Sequence, residues 1–174
     1  MKLLVAILIL LNFSCSASEH VTPKIEMQFH FGVDAKNRLD TVNGSFVRDM
    51  VLDPPITVSL QLSADELRHI ASEAERLGFF ELPTAIHGQD ICELMPCSTY
   101  YLRIRFETKD HNVSWNDCHC EELESLIQLR TLIINYIRSK KEYKDLPKPR
   151  GGYCIYEPSN KNIQPPEHPV TPLA

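Results

Sequence analysis

Residues 24–33, KIEMQFHFGV, constrain the fold more than any other stretch of the chain. Ile25, Met27, Phe29, Phe31 and Val33 alternate with Glu26, Gln28 and His30. In an extended chain this period of two sends the apolar side chains to one face and the polar ones to the other. In a helix the same residues would scatter around the axis. The segment therefore reads as a strand with one buried face, and such a strand needs neighbouring strands and an apolar layer to cover it.

The following sequence supplies both. Asp34-Ala35-Lys36-Asn37 is turn-like. A second extended segment runs over about 38–52, where Asn43-Gly44 reads as a kink or bulge. Asp53-Pro54-Pro55 is expected to end it, because proline cannot donate to a sheet ladder. After ITVSLQL, Ser63 and Glu66 form a capping box. Leu67, Ile70, Ala71, Ala74 and Leu77 then make a helical stripe, and Gly78 is its stop.

Residues 83–97 have no period and form the longest loop. STYYLRIRF alternates again, with Tyr100, Leu102, Ile104 and Phe106 inward. A turn at Lys109-Asp110 returns the chain through Val113 and Trp115. A second helix is predicted over about 121–143, with Leu123, Leu126, Ile127, Ile133, Ile134 and Ile137 among its apolar positions. Strands joined by short turns are antiparallel. The expectation is an α+β fold: two ββα units giving an antiparallel sheet of about four strands, with two helices packed on one face.

The ends differ in kind. Lys2 precedes an unbroken apolar run over residues 3–11. Such a run spans only about 14 Å as a helix, whereas a membrane crossing takes roughly 20 residues. Charge, short apolar core and small residues are the layout of an export signal, assigned to 1–14. Ser16-Ala17-Ser18 suits an ordinary signal peptidase. Leu11-Asn12-Phe13-Ser14-Cys15 instead resembles a lipobox, with Asn12 where leucine is usual and Cys15 as the lipidated residue. The second reading is preferred, and it makes 15–24 an anchor and tether. A diacylated cysteine supplies the two chains that stable anchoring takes.

Residues 25–145 read as one domain. Seven of the twelve prolines fall in 146–174, which reads as an extended or disordered tail. The net charge is −5, and Arg138-Ser139-Lys140-Lys141 is the one basic cluster. It sits at a helix C-terminus, where the helix dipole favours cations. Nucleic acid is therefore not an expected partner.

The runs FHFGVDAKNRLDT, DPP, LSADELRHIASEAERLGFFELP and SKKEYKDLPKPRGGY resemble small exported bacterial lipoproteins of unknown function with a ββα-ββα domain. The resemblance covers most of the mature chain. It implies the fold and the compartment, and carries no catalytic residue onto this sequence.

Besides Cys15 there are Cys92, Cys97, Cys118, Cys120 and Cys154. An oxidising compartment favours disulfides. With a turn centred between Lys109 and Asp110, Cys97 falls opposite about residue 122, close to Cys120. Facing residues have Cα atoms about 4.5–5.5 Å apart, which suits a disulfide. Cys97–Cys120 with Cys92–Cys118 is the preferred pairing, and Cys97–Cys118 with Cys92–Cys120 is the alternative. Four gathered cysteines also match a zinc tetrahedron, although Cys-x4-Cys and Cys-x-Cys depart from the usual Cys-x2-Cys knuckle. No metal or cofactor is expected.

His87, Asp90, Glu93, His119, Glu121 and Glu122 belong to the same sheet end and form the candidate binding surface. Acids beside histidines can move protons, and solvated loop residues are the plain alternative. The chain has no nucleophile elbow, phosphate loop, zincin helix or dinucleotide fingerprint. The expected function is that of an exported, lipid-anchored cell-envelope protein, a binding or envelope-support module. Its partner would be an envelope protein or ligand. The alternative is a small zinc-binding or hydrolytic envelope protein that uses the Cys/His/acid cluster.

Overall fold

The computed structural model describes residues 24–86, 96–117 and 123–153. The alternating segment forms β1, Ile25–Phe31, with β2, Asn37–Asp40, on one side and β5, Thr99–Phe106, on the other. Adding β3, Ser45–Met50, β4, Asp53–Ser59, and β6, Lys109–Asn116, gives a six-stranded sheet in the order β4-β3-β2-β1-β5-β6. Every pairing is antiparallel.

The class is α+β as expected, and the sheet is larger than the four strands expected. Two local causes account for the difference. The extended segment around 38–52 is folded back at residues 41–44 instead of merely kinked. The Asp40 carboxylate accepts from Val42 N at 2.9 Å, Asn43 N at 3.1 Å and Asn43 Nδ2 at 2.8 Å, which closes the turn. Asp53-Pro54-Pro55, expected to end a strand, begins β4. That is tolerated because β4 is an edge strand, where a missing N–H leaves no neighbour unsatisfied.

Helix α1, Ala64–Arg76, carries the capping box: Ser63 Oγ accepts from Glu66 N at 3.2 Å and Glu66 Oε2 accepts from Ser63 N at 2.7 Å. Gly78, at φ 70°, follows the cap residue Leu77 as expected for a helix stop. A 3₁₀ turn, Phe79–Glu81, then tucks Phe79 into the core. Helix α2, Glu124–Ser139, is shorter than the 121–143 expected. Lys140 is extended at φ −67° and ψ 143°, and a separate short helix α3, Lys141–Lys144, follows. Lys140 Nζ reaches Glu66 Oε2 at 2.5 Å, tying the end of α2 to the start of α1.

The core lies between one face of the sheet and these helices. Met27, Phe29, Leu39, Phe46, Leu102, Ile104 and Val113 meet Ile70, Ala74, Leu126, Leu129, Ile133 and Ile137 in one cluster. Each large side chain taken out of water there contributes about 1.5–3 kcal/mol. The alternation that places these residues inward places their neighbours on the opposite face. No helix among the described residues lies against that second face. An antiparallel sheet tolerates this, because it can keep one side in water.

Candidate functional site

The sheet end expected to carry the site is described only in part. Cys15, His87, Asp90, Cys92, Glu93, Cys118, His119, Cys120, Glu121 and Glu122 lie outside the described residues. Cys97 lies within them and is disulfide-bonded. A sulfur in a disulfide is not a thiolate, so Cys97 is unavailable as a zinc ligand. Among the described residues no group of three His, Cys, Asp or Glu side chains could hold a metal ion.

The β5–β6 register differs from that expected. Phe106 pairs with Lys109, so the loop is Glu107-Thr108, and Lys109-Asp110 belongs to β6. The cause is local: Glu107 takes a positive φ of 54° at the first position of a two-residue hairpin loop. Asp110 is then free to act across the sheet, accepting from Arg103 Nε at 2.8 Å and Nη2 at 2.7 Å, and from Arg105 Nη2 at 3.1 Å. These guanidinium bonds, Arg103 foremost, depress the Asp110 carboxyl to about 2.

At the far end Thr99 faces Asn116, and Asp117 N donates to Ser98 O at 3.0 Å. A polar cluster seals this end. Tyr100 donates to Asp117 Oδ2 at 3.2 Å, Arg130 donates to the Tyr100 hydroxyl, and the Arg130 guanidinium lies 4.9 Å from the Tyr100 ring centre. Burial pushes the Tyr100 hydroxyl upward in pKa. Tyr100 is thus a neutral strut between helix and sheet.

The second face of the sheet offers a different site, built from the polar half of the strand alternation. One transverse row across it runs Ser114, Tyr101, His30, Arg38, Val47 and Thr57, one residue from each strand. His30 sits at the centre with its ring 5.2 Å from that of Tyr101. Burial, and then the Arg38 charge, lower the His30 pKa, which disfavours the charged ring. Towards β6 the charges are matched: Arg105 also donates to Glu26 at 3.0 Å, beside the Arg103–Asp110 pair.

Towards β4 the face hollows into a groove of about 380 Å³. Val47, Val51 and Pro55 give it apolar surface, and Lys36, Arg38, Asp49 and Asp53 edge it. Both acids are already engaged. Tyr153 donates to Asp49 Oδ2 at 2.6 Å, and Arg150 Nε donates to Asp53 Oδ2 at 2.7 Å. Lys36 donates to the Tyr153 hydroxyl at 3.1 Å. Arg38 is exposed and has no carboxylate partner among the described residues.

Residues 150–153 reach this position because Arg150 bridges to Val51 in parallel and Gly151 passes close over Leu52. A Cβ at Gly151 would stand 2.9 Å from Leu52 Cδ1, and at its φ of 76° a residue with a side chain would be strained. The start of the 146–174 segment is therefore fastened to the β3–β4 turn. None of the groove residues was singled out from sequence. The signal was present in the outward half of each alternation, but only the strand order brings Arg38, Val47 and Pro55 side by side.

Compared with known proteins, the chain matches no protein-family model, no curated protein and no solved structure. What the fold and site define is a two-layer α+β domain with a sheet face that no helix among the described residues covers. Among the described residues no helix is long and apolar enough to cross a membrane.

Proposed function

We propose that this chain is an exported, lipid-anchored binding module of the cell envelope, which meets its partner through the sheet face opposite the helices. The observation that carries the reading is the groove beside Arg38. A solvated sheet face alone is ordinary, but this one combines apolar surface with a cation that no carboxylate among the described residues matches, while neighbouring charges are paired. A partner that buries Val47 and Pro55 and brings a carboxylate or phosphate to Arg38 would use both.

Export and anchoring rest on residues 1–15, with Cys15 as the lipidated residue. Fatty-acid labelling of the wild type, absent in Cys15→Ala, supports anchoring. Equal labelling of both, or of neither, removes it.

The binding reading is tested by affinity capture from the native envelope with wild type, Arg38→Glu and Arg68→Glu. Arg68 is exposed on α1, on the helical layer. Loss of a partner with Arg38→Glu alone is the expected result. Equal capture by all three baits, or loss with Arg68→Glu, overturns the reading.

A further inference from the structure

We propose that residues 150–153 are a latch on the groove: they hold the β3–β4 turn in a strained conformation, and the closed latch and an anion at Arg38 stabilise each other. The coupling to an anion rests on the binding reading above; the latch itself does not.

Strain in the turn is the first observation. Leu52 N donates to Met50 O at 2.8 Å, which closes a three-residue turn centred on Val51 at φ 63°. A turn of this kind with positive φ at its centre is rare and strained, and a β-branched residue suits it poorly. Such a conformation persists only where the surroundings over-determine it. Residues 150–153 supply much of that restraint. Asp49 Oδ1 accepts from Val51 N at 3.0 Å, and its other oxygen, Oδ2, accepts from the Tyr153 hydroxyl at 2.6 Å. Asp49 thus links the latch to the strained residue directly. Arg150 bridges Val51 in parallel, and its guanidinium donates to both carboxylate oxygens of Asp53, the residue paired with Met50 across the turn. Asp49, Val51 and Asp53, all held in this way, also line the groove. The turn is then a two-state element, strained with the latch closed and relaxed with it open, and the groove wall changes with it.

Charge is the second observation. With the latch closed, Arg150 covers Asp53 and Tyr153 donates to Asp49. Opening it withdraws a positive charge and uncovers two carboxylates at the edge of the groove that holds Arg38. An anion at Arg38 is repelled more by the open form than by the closed one. By linkage, the anion favours the closed latch to the same degree that the closed latch favours the anion.

The test uses the full chain, with amide exchange followed residue by residue by NMR and no partner present. In Arg150→Ala/Tyr153→Phe, exchange at Val51 and Leu52 should rise about tenfold, through loss of one ion pair and one carboxylate–tyrosine bond. Leu60, whose N–H donates to Gly44 O at the far end of the same hairpin, should not change. Adding Val51→Gly to the double variant should restore protection about threefold, because glycine accepts the positive φ without strain. Unchanged exchange at Val51 and Leu52, a rise shared equally by Leu60, or no rescue by glycine overturns the latch. Inorganic phosphate is the probe anion, with chloride at matched ionic strength as its control. It should shift the amides of Arg38 and Val47 and slow exchange at Val51 and Leu52 about fivefold in the wild type, with no slowing in the double variant. Shifts at Arg38 without slowing overturn the coupling and leave the anion site standing. No shift at Arg38 overturns the anion site and the coupling with it, while the latch is decided by the exchange data alone.

Discussion

Replacing Glu107 with glycine should stabilise the protein. Glu107 has φ 54° and an exposed side chain at the first position of the β5–β6 loop. A non-glycine residue in the left-handed region costs about 1–2 kcal/mol. Glycine removes that cost and gives back about 0.4–1 kcal/mol through greater freedom of the unfolded chain. The net gain is about 0.5–1 kcal/mol, or roughly 2–5 °C in melting temperature for a domain of this size. Glu107→Ala is the control, since alanine loses the side chain and keeps the strain. Thermal unfolding followed by circular dichroism compares the three proteins. Glu107→Gly no more stable than Glu107→Ala would refute the reasoning, and with it the placement of the turn. Had the turn been at Lys109-Asp110, glycine at 107 would sit inside a strand and destabilise it.

Three further outcomes follow from the same register and contacts. Asp110 should titrate near 2 by NMR, because Arg103 and Arg105 hold its charged form. Its folded pKa is depressed, so its contribution is complete above the ordinary aspartate value of about 4 and lost as pH falls through about 2. The effect on stability is small, since the carboxylate is 38% exposed; a midpoint near 4 would contradict the pairing. Cys97 is disulfide-bonded, so non-reduced peptide mapping should find it linked to a second cysteine, and a Cys97 that alkylates without reduction would contradict this. Truncation after Tyr153 should leave the melting temperature within about a degree, whereas truncation after Leu146 should cost about 1–2 kcal/mol, the sum of one carboxylate–tyrosine bond and one exposed ion pair. Equal melting of the two truncations would show that the Arg150–Tyr153 contacts carry no stability.

Whatever depended on period and caps was legible in the sequence. Met27, Phe29 and Phe31 of β1, the inward residues of β5, the stripe of α1, its Ser63/Glu66 box and its Gly78 stop are found where the pattern places them, whereas Ile25 and Val33 stay outside the core cluster. What depended on a single side chain's choice was not. Asp40 closes a turn through three bonds to its carboxylate, which composition alone does not distinguish from a bulge. Lys109-Asp110 has better turn chemistry than Glu107-Thr108, yet Asp110 gains two arginine partners by lying one step into the strand. Prolines 54 and 55 reveal an edge only when the sheet order is known. The groove was invisible for the same reason: its residues come from three strands, and each alone is an ordinary outward position.

The central claim is that the sheet face opposite the helices meets the partner and the helical layer does not. Photo-crosslinking in the native envelope tests it most directly, with a reactive side chain at Tyr101, on the face opposite the helices, and separately at Arg68 and Gln128, exposed on the helices. The account predicts one discrete protein adduct from Tyr101 that disappears in Arg38→Glu, and none from the helical positions. The same adduct from Arg68 or Gln128, with none from Tyr101, would contradict it.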